Sequence, residues 1–217
     1  MTTLALDIRL LFAAPGLTLA LSPEHREQQD RRSDMDLLDR ARRGDPSALQ
    51  DLYQRHADMV YRRLTHLVGP DPEREDLLQE VFLALFQRLD AFRGEARLTT
   101  YLQRIATNKA YDHLRRRSRL NRTEARDQQG ADSPCHTPSP EGFALGDEKV
   151  ALLARCLDKL KPNKRIAFVL RVVEGLTLKE ISGQVDASVQ TVAQRIRHAR
   201  MELTEMVRQY EDKEDGR

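Results

Sequence analysis

A chain of 217 residues can form one large domain or two small ones. With 40% hydrophobic, 32% charged and only 5% aromatic residues, it suits small helical units closed by Leu, Ile and Val. Its net charge of +2 excludes a polycation, so any nucleic-acid surface must come from local segregation of charge.

The N-terminal "LLFAAPGLTLAL" is the one candidate for a targeting segment. It is broken by Pro15-Gly16, preceded by Asp7 as well as Arg9, and lacks a small-x-small cleavage site. Residues 1–33 are therefore expected to be a flexible extension, or Met35 to be the true start. No apolar run approaches the ~18 residues of a membrane span, and the expected location is cytoplasmic. Cys135 and Cys156 have no metal-ligand spacing and no secretory context, so neither a metal site nor a disulfide is expected.

From Asp34 the pattern is helical. Two helices flank "GDPS", where Asp45 or Ser47 can cap the second start. In that second helix Leu49, Leu52, Tyr53, His56, Val60, Leu64 and Leu67 recur at three- and four-residue steps. "GPDPERE" breaks the chain and opens a helix with acids in its first turn, where the dipole favours them. Its apolar face carries Leu77, Leu78, Val81, Phe82, Leu85 and Leu89.

After the loop "RGEARLTT" comes "TTYLQRIATNKAYDHLRRRSR". Advancing 100° per residue places Leu98, Ile105 and Ala106 within about 60° of Leu102, a core face. Arg104, Asn108, Tyr111 and Arg115 fall on the opposite side. A stripe of cations, an amide and an aromatic can grip phosphates and stack on bases. From Lys109 to Arg122 there are six basic residues and one acid, Asp112, whereas a merely solvated helix mixes Glu with Lys.

Periodicity disappears from about Arg122 to Asp147, a Pro/Gly-containing acidic stretch expected to be a linker. Leu152, Leu153, Leu157 and Leu160, then Ile166, Val169, Leu170 and Val173, mark two more helices joined by "KPNK", with Arg165 and Arg171 expected to point away.

"LTLKEISGQVDASVQTVAQRIRHARMEL" then reads as a helix-turn-helix. Leu178 to Val185 leads into a turn at Asp186-Ala187, and Ser188 caps a helix from Val189 to about Val207. Leu178, Ile181 and Val185 face Val192 and Ile196. Ser188, Gln190, Thr191, Gln194, Arg195, Arg197 and Arg200 are left for duplex DNA, whose major groove such a second helix enters. The turn carries Asp186 where such motifs usually place Gly; Asp tolerates left-handed geometry better than most residues.

Three segments in order carry a family resemblance: "EDLLQEVFLALF", "FRGEARLTTYLQRIATNKAYDHLRRRSR" and "LKPNKRIAFVLRVVEGLTLKEISGQVDASVQTV". Together they resemble a bacterial RNA polymerase sigma factor of the sigma-70 family, in its extracytoplasmic-function group. The resemblance implies core-polymerase binding and −10 recognition in residues 34–122 and −35 recognition in 150–210, while composition makes 123–149 an acidic Pro/Gly linker and 211–217 an acidic tail. It implies docking on the clamp of the largest polymerase subunit through Asp76, Leu77, Gln79, Glu80 and Phe82, with Phe and Leu exposed beside the acids. Opening of the −10 element and capture of a non-template base fall to Arg93, Arg97, Thr99, Thr100, Tyr101, Arg104, Asn108, Tyr111, Arg115, Arg116, Arg117 and Arg119. Tyr101 stands where the family usually has Trp. The helix-turn-helix would read the −35 element and touch the polymerase flap, while the linker either occupies a nucleic-acid channel or is an inert tether.

The expected architecture is all-α: an N-terminal helical bundle and a C-terminal four-helix domain joined by a flexible linker. The expected function is that of a sigma factor, with no enzymatic chemistry and no cofactor. Its expected partners are core RNA polymerase, promoter DNA as duplex and single strand, and an anti-sigma protein. The alternative is a free-standing helix-turn-helix regulator with an N-terminal sensing or dimerising domain. An enzyme would want clustered carboxylates or a Gly-rich phosphate loop, and neither occurs.

Overall fold

The computed structural model describes residues 23–127 and 148–215, and among these every regular element is helical. In chain order they are α1 (Pro23–Arg42), α2 (Pro46–Val68), α3 (Arg74–Phe86), a 3-10 turn (Leu89–Ala91), α4 (Leu98–Asp127), α5 (Glu148–Lys159), α6 (Pro162–Val172), α7 (Leu178–Val185) and α8 (Val189–Asp215). Cys135 and most of the expected linker lie outside the described residues.

Three helices run past the ends that periodicity suggested. α1 starts at Pro23 rather than near Asp34, α4 continues to Asp127, and α8 reaches Asp215. Residues 23–33 are helix within the expected extension, 123–127 within the expected linker, and 211–215 within the expected tail. These additions are dominated by Glu, Gln, Arg, Lys and Asp. Several of those are good helix formers, but none supplies the apolar stripe by which a helix is recognised in sequence.

Contacts divide the described residues into two compact units, one of residues 23–64 and 73–109 and the other of residues 65–72, 110–127 and 148–215. In the first, Leu38, Leu52, Leu64, Leu77, Leu85 and Leu102 are fully buried. The 3-10 turn is tied to α1 by Arg42, whose guanidinium donates to the carbonyls of Leu89 and Phe92. Arg63, buried on α2, donates to Thr107 Oγ1 on α4 at 3.3 Å. Asp34 accepts from Arg55 at 3.1 Å and lies 3.1 Å from His56 Nε2, so its buried carboxylate is matched by polar partners. Tyr53, expected on the apolar face, is half-exposed, with its ring 4.7 Å from that of Phe82.

In the second unit α8 is the spine against which α5, α6 and α7 pack. Ile166, Val169 and Leu170 of α6, Ile181 of α7, and Val192, Ile196, Ala199 and Leu203 of α8 form its buried centre. Cys156 is buried there, and burial pushes its thiol pKa up, away from reactive thiolate. One expectation is overturned: Arg165 does not point to solvent but is 4% exposed. Its guanidinium is drawn inward by Asp158 and by the Leu67 carbonyl at the C-terminus of α2, which accepts from Nε at 2.8 Å. Arg171 stays exposed, donating to Leu176 O.

At the start of α2, Asp45 rather than Ser47 is the cap, accepting from Ser47 N at 2.9 Å and Ser47 Oγ at 2.8 Å. The Ser47 hydroxyl and then the Arg40 guanidinium hold the Asp45 pKa at about 2, below its ordinary 3.8. A carboxyl depressed on folding contributes stability above its unfolded pKa and loses it as pH falls through the folded one. The window here runs from 3.8 down to about 2. Carbon-detected NMR titration should find Asp45 titrating near 2, and combined Ser47→Ala and Arg40→Met should return it toward the ordinary value.

Candidate nucleic-acid interface

α4 positions the first candidate surface. Leu98, Leu102, Ala106, Ala110 and Leu114, spaced four residues apart, are all buried, and this stripe fixes the rotation of the helix. Arg104, Asn108 and Arg115 are consequently exposed on the other side, with Tyr111 half-buried among them. In the loop and first turn of α4 that precede this face, Arg93, Arg97 and Thr100 are exposed and Thr99 is half-buried. Tyr101 is half-buried with its ring 5.2 Å from that of Phe92, a tilted aromatic pair that anchors the loop.

Within the first unit a cavity of about 100 Å³ opens beside this loop. Phe92, Ala96, Arg97, Leu98 and Thr99 line one side, and Asp30, Asp34 and Met35 of α1 the other. Asp30 went unseen in the sequence because residues 1–33 read as an extension, and nothing local to Asp34 and Met35 signals that they face the loop. Gly94, at φ +72°, lets the loop turn against Met35, whose Sδ would lie 3.1 Å from a Cβ there.

The run of arginines at the end of α4 does not behave as one group. Arg115, Arg116 and Arg119 are exposed, whereas Arg117 is half-buried. It makes ion pairs with Asp71 at 3.0 Å and Asp158 at 3.5 Å.

On α3 a correction is needed. Phe82 and Leu77 are each only 2% exposed, so neither is the exposed apolar group expected beside the acids. Leu77, Leu78, Val81, Phe82 and Leu85 share the face turned to the core. Asp76 and Gln79 are exposed, Glu80 pairs with Lys109 at 2.9 Å, and the apolar group on this outer side is Leu83, 56% exposed. The signal was available: Leu83 follows Asp76 by seven residues, two helical turns along one face.

The second candidate surface is the helix-turn-helix. α7 is closed at its start by a reciprocal cap not anticipated above, although "TLKE" carries its spacing. Thr177 Oγ1 accepts from Glu180 N at 3.3 Å, and Glu180 Oε2 accepts from Thr177 N at 2.7 Å. Hydrogen bonds from the Thr177 hydroxyl and backbone lower the Glu180 pKa. Asp186 adopts φ 47°, ψ 53°, the left-handed turn expected of it, and Ser182 Oγ donates to Ala187 O to tie the corner. Ser188 caps α8, accepting from Thr191 N at 3.1 Å. Ile181, Val192 and Ile196 are buried, while Leu178 and Val185 are half-buried and Gln184 takes a buried position beside them. Gln190, Gln194, Arg197 and Arg200 are exposed, with Thr191 and Arg195 half-buried. No acid occurs between Val189 and Met201, so the potential over this face is positive.

Among the described residues no three His, Cys, Asp or Glu side chains are grouped to hold a metal, and no helix is long and apolar enough to cross a membrane.

The Sigma-70 region 2 model matches residues 52–120 and the Sigma-70 region 4 model residues 151–203, together spanning both surfaces. The chain is 30% identical over 174 residues to the ECF RNA polymerase sigma-E factor of Escherichia coli K12, covering 77% of this chain and 91% of that one. It is 35% identical over 163 residues to the ECF RNA polymerase sigma factor SigE of Mycolicibacterium smegmatis, covering 74% of this chain and 63% of that relative's length. The chain belongs to the extracytoplasmic-function group of the sigma-70 family, the RNA polymerase sigma factors that direct transcription from promoters. The fold is also that of CnrH, solved with the cytosolic domain of CnrY, at a TM-score of 0.51 and 24% identity over 81% of this chain and 97% of that one. The sigma factor RpoE of Bartonella quintana, solved with the anti-sigma factor NepR, gives a TM-score of 0.53 and 20% identity over 73% and 96%.

The left-handed Asp186 makes the corner of the helix-turn-helix sensitive to side-chain branching. Asp186→Val should lower stability by about 1–2 kcal/mol, the cost of forcing such a residue into this region, whereas Asp186→Gly should not. Thermal unfolding of the full chain measures both.

Proposed function

We propose that this sigma factor binds core RNA polymerase, reads a −35 element as duplex through α8, and opens and holds the −10 element along α4. The observation that carries this reading is the outward stripe of Arg104, Asn108, Tyr111 and Arg115, which is preceded by a loop bearing exposed Arg93 and Arg97. Guanidiniums there suit phosphates, and an amide and a phenol suit bases that have left the stack. The cavity lined by Phe92, Arg97 and Thr99 supports capture of one unstacked base beside the loop.

Gln190, Gln194 and Arg197 on the exposed face of α8 have the amide and guanidinium chemistry that pairs with base edges in a major groove. Ser188, Thr191, Arg195 and Arg200 are assigned with them to the −35 contact. Arg115, Arg116 and Arg119 are assigned to the backbone of the duplex next to the −10 element, where they set salt dependence more than sequence choice. For polymerase, the exposed acid–amide–leucine edge of Asp76, Gln79 and Leu83 suits a basic helical partner. Leu77 and Phe82 then act beneath that edge, as the packing that holds it rigid. In this reading the chain performs no chemistry of its own and needs no cofactor. An anti-sigma protein remains among its proposed partners on the strength of the family resemblance, and the cytoplasm is its proposed site of action.

Two measurements test this. Run-off transcription from genomic fragments with core polymerase should show new start sites only when the protein is added; a transcript pattern unchanged by it would remove the reading. Arg104→Ala with Asn108→Ala should cut permanganate-detected promoter opening about tenfold or more, equivalent to the ~1.4 kcal/mol expected from losing a base or phosphate contact. Polymerase binding should persist, and its loss would show that the stripe serves the enzyme rather than the DNA.

A further inference from the structure

The exposed side of α8 holds apolar residues that the −35 assignment above leaves unused. Val189 opens the helix and is 44% exposed. One exposed valine is ordinary on a protein surface; its register is what distinguishes it. Gln190 follows it, and the pair recurs four residues on as Ala193 and Gln194, with both amides exposed and the alanine half-buried. At 100° per residue Val189 and Ala193 stand about 40° apart in one row, and Gln190 and Gln194 form a parallel row beside it. Buried Val192, Ile196 and Ala199 fix the rotation, which places the amide row opposite the core and the apolar row on its flank. Ser188 caps the first turn by accepting from Thr191 N at 3.1 Å, so Val189 and Gln190 sit on a defined turn rather than a frayed end.

We propose that Val189–Gln190 and Ala193–Gln194 are two readers of A·T base pairs, in which the amide bonds adenine and the apolar side chain covers the 5-methyl group of thymine. Val189 and Ala193 are then specificity-determining residues of the −35 contact. This rests on the proposed assignment of α8 to the −35 duplex.

Three physical arguments carry it. The first is the chemistry of the base-pair edge. In the major groove an A·T pair presents adenine N7 and the N6 amino group, then thymine O4 and the 5-methyl group. That edge is polar at one end and apolar at the other, and a G·C pair has no methyl group. A glutamine amide matches the first end by two hydrogen bonds, and an aliphatic side chain from the adjacent position matches the second. The second argument is spacing. Four residues of helix rise about 6 Å, against 3.4 Å per base step, so the two readers fall on pairs about two steps apart. The third is charge. No acid occurs between Val189 and Met201. By the same 100° per residue, Arg195 and Arg200 lie on opposite flanks of the amide row, a placement that suits phosphates on the two sides of a groove.

The experiment forms holoenzyme from the full chain and core polymerase and selects binders from duplexes carrying a randomised segment. Selected sequences should hold A·T pairs at two positions about two steps apart. On one selected duplex, replacing either of those thymines with deoxyuridine deletes only the methyl group and should weaken binding about three- to fivefold, the worth of one buried methyl. Val189→Ser should erase that loss at one of the two positions and keep it at the other. Gln190→Ala should relax the selection at the same pair that Val189→Ser desensitises. Binding indifferent to both deoxyuridine replacements, or full methyl sensitivity at both positions in Val189→Ser, would each overturn the inference, as would relaxation by Gln190→Ala at some other pair. The two ideas fail differently. A selection that enriches no sequence removes the −35 reading together with this one, whereas an enriched sequence indifferent to its thymine methyls removes this inference alone.

Discussion

The burial of one stripe of α4 is the constraint on which the surface carried by that helix depends. Leu98, Leu102, Ala106, Ala110 and Leu114 are at most 6% exposed, so the helix has no freedom to rotate. With its rotation set, the direction of Arg104, Asn108 and Arg115 follows from 100° per residue. The same logic aims α3, where burying Leu77, Leu78, Val81, Phe82 and Leu85 leaves Asp76, Gln79 and Leu83 outside. Each functional face is thus the complement of a core face, and a substitution in the core acts on function by turning or loosening a helix.

Charge is divided between structural and open positions. Arg42, Arg63, Arg117 and Arg165 are held by backbone carbonyls, a hydroxyl or carboxylates. Arg93, Arg104, Arg115, Arg197 and Arg200 stand exposed at the two candidate surfaces. A net charge of +2 is compatible with two basic faces because acids are gathered elsewhere in the sequence, at the start of α3, in the stretch after Arg122 and in the tail, as well as inside structural ion pairs. Buried arginines are uncommon because desolvating a guanidinium is costly unless its donors are satisfied. Arg165 meets that condition through Asp158 and the end of α2. Burial pulls its pKa down from the ordinary value, while the Asp158 carboxylate opposes the shift.

The helix-turn-helix illustrates local chemistry agreeing with tertiary packing. The Thr177–Glu180 capping box starts α7, the left-handed Asp186 ends it, and the Ser188 cap starts α8. Each of these satisfies backbone groups that the helix ends would otherwise leave unpaired. Together they set the angle at which Ile181, Val192 and Ile196 meet, and so the presentation of Gln190 and Gln194.

The sequence by itself determined the all-helical class, the position of the helix-turn-helix, the left-handed turn at Asp186 and the polar stripe of α4. All of these rest on relations among residues a few positions apart, through a 3.6-residue period, a cap or a turn. Helix ends without an apolar stripe escaped it, as at Pro23–Ser33 and in the last turns of α4 and α8, because periodicity is silent where nothing is buried. Only the tertiary structure decided that Phe82 is buried and Leu83 exposed, that Asp30 and Asp34 of α1 wall a cavity beside the loop, and that Arg117 and Arg165 turn inward. The physical reason is range. Arg117 finds Asp71 across 46 positions and Arg165 finds Leu67 across 98, and no local pattern encodes which distant partner will satisfy a buried charge.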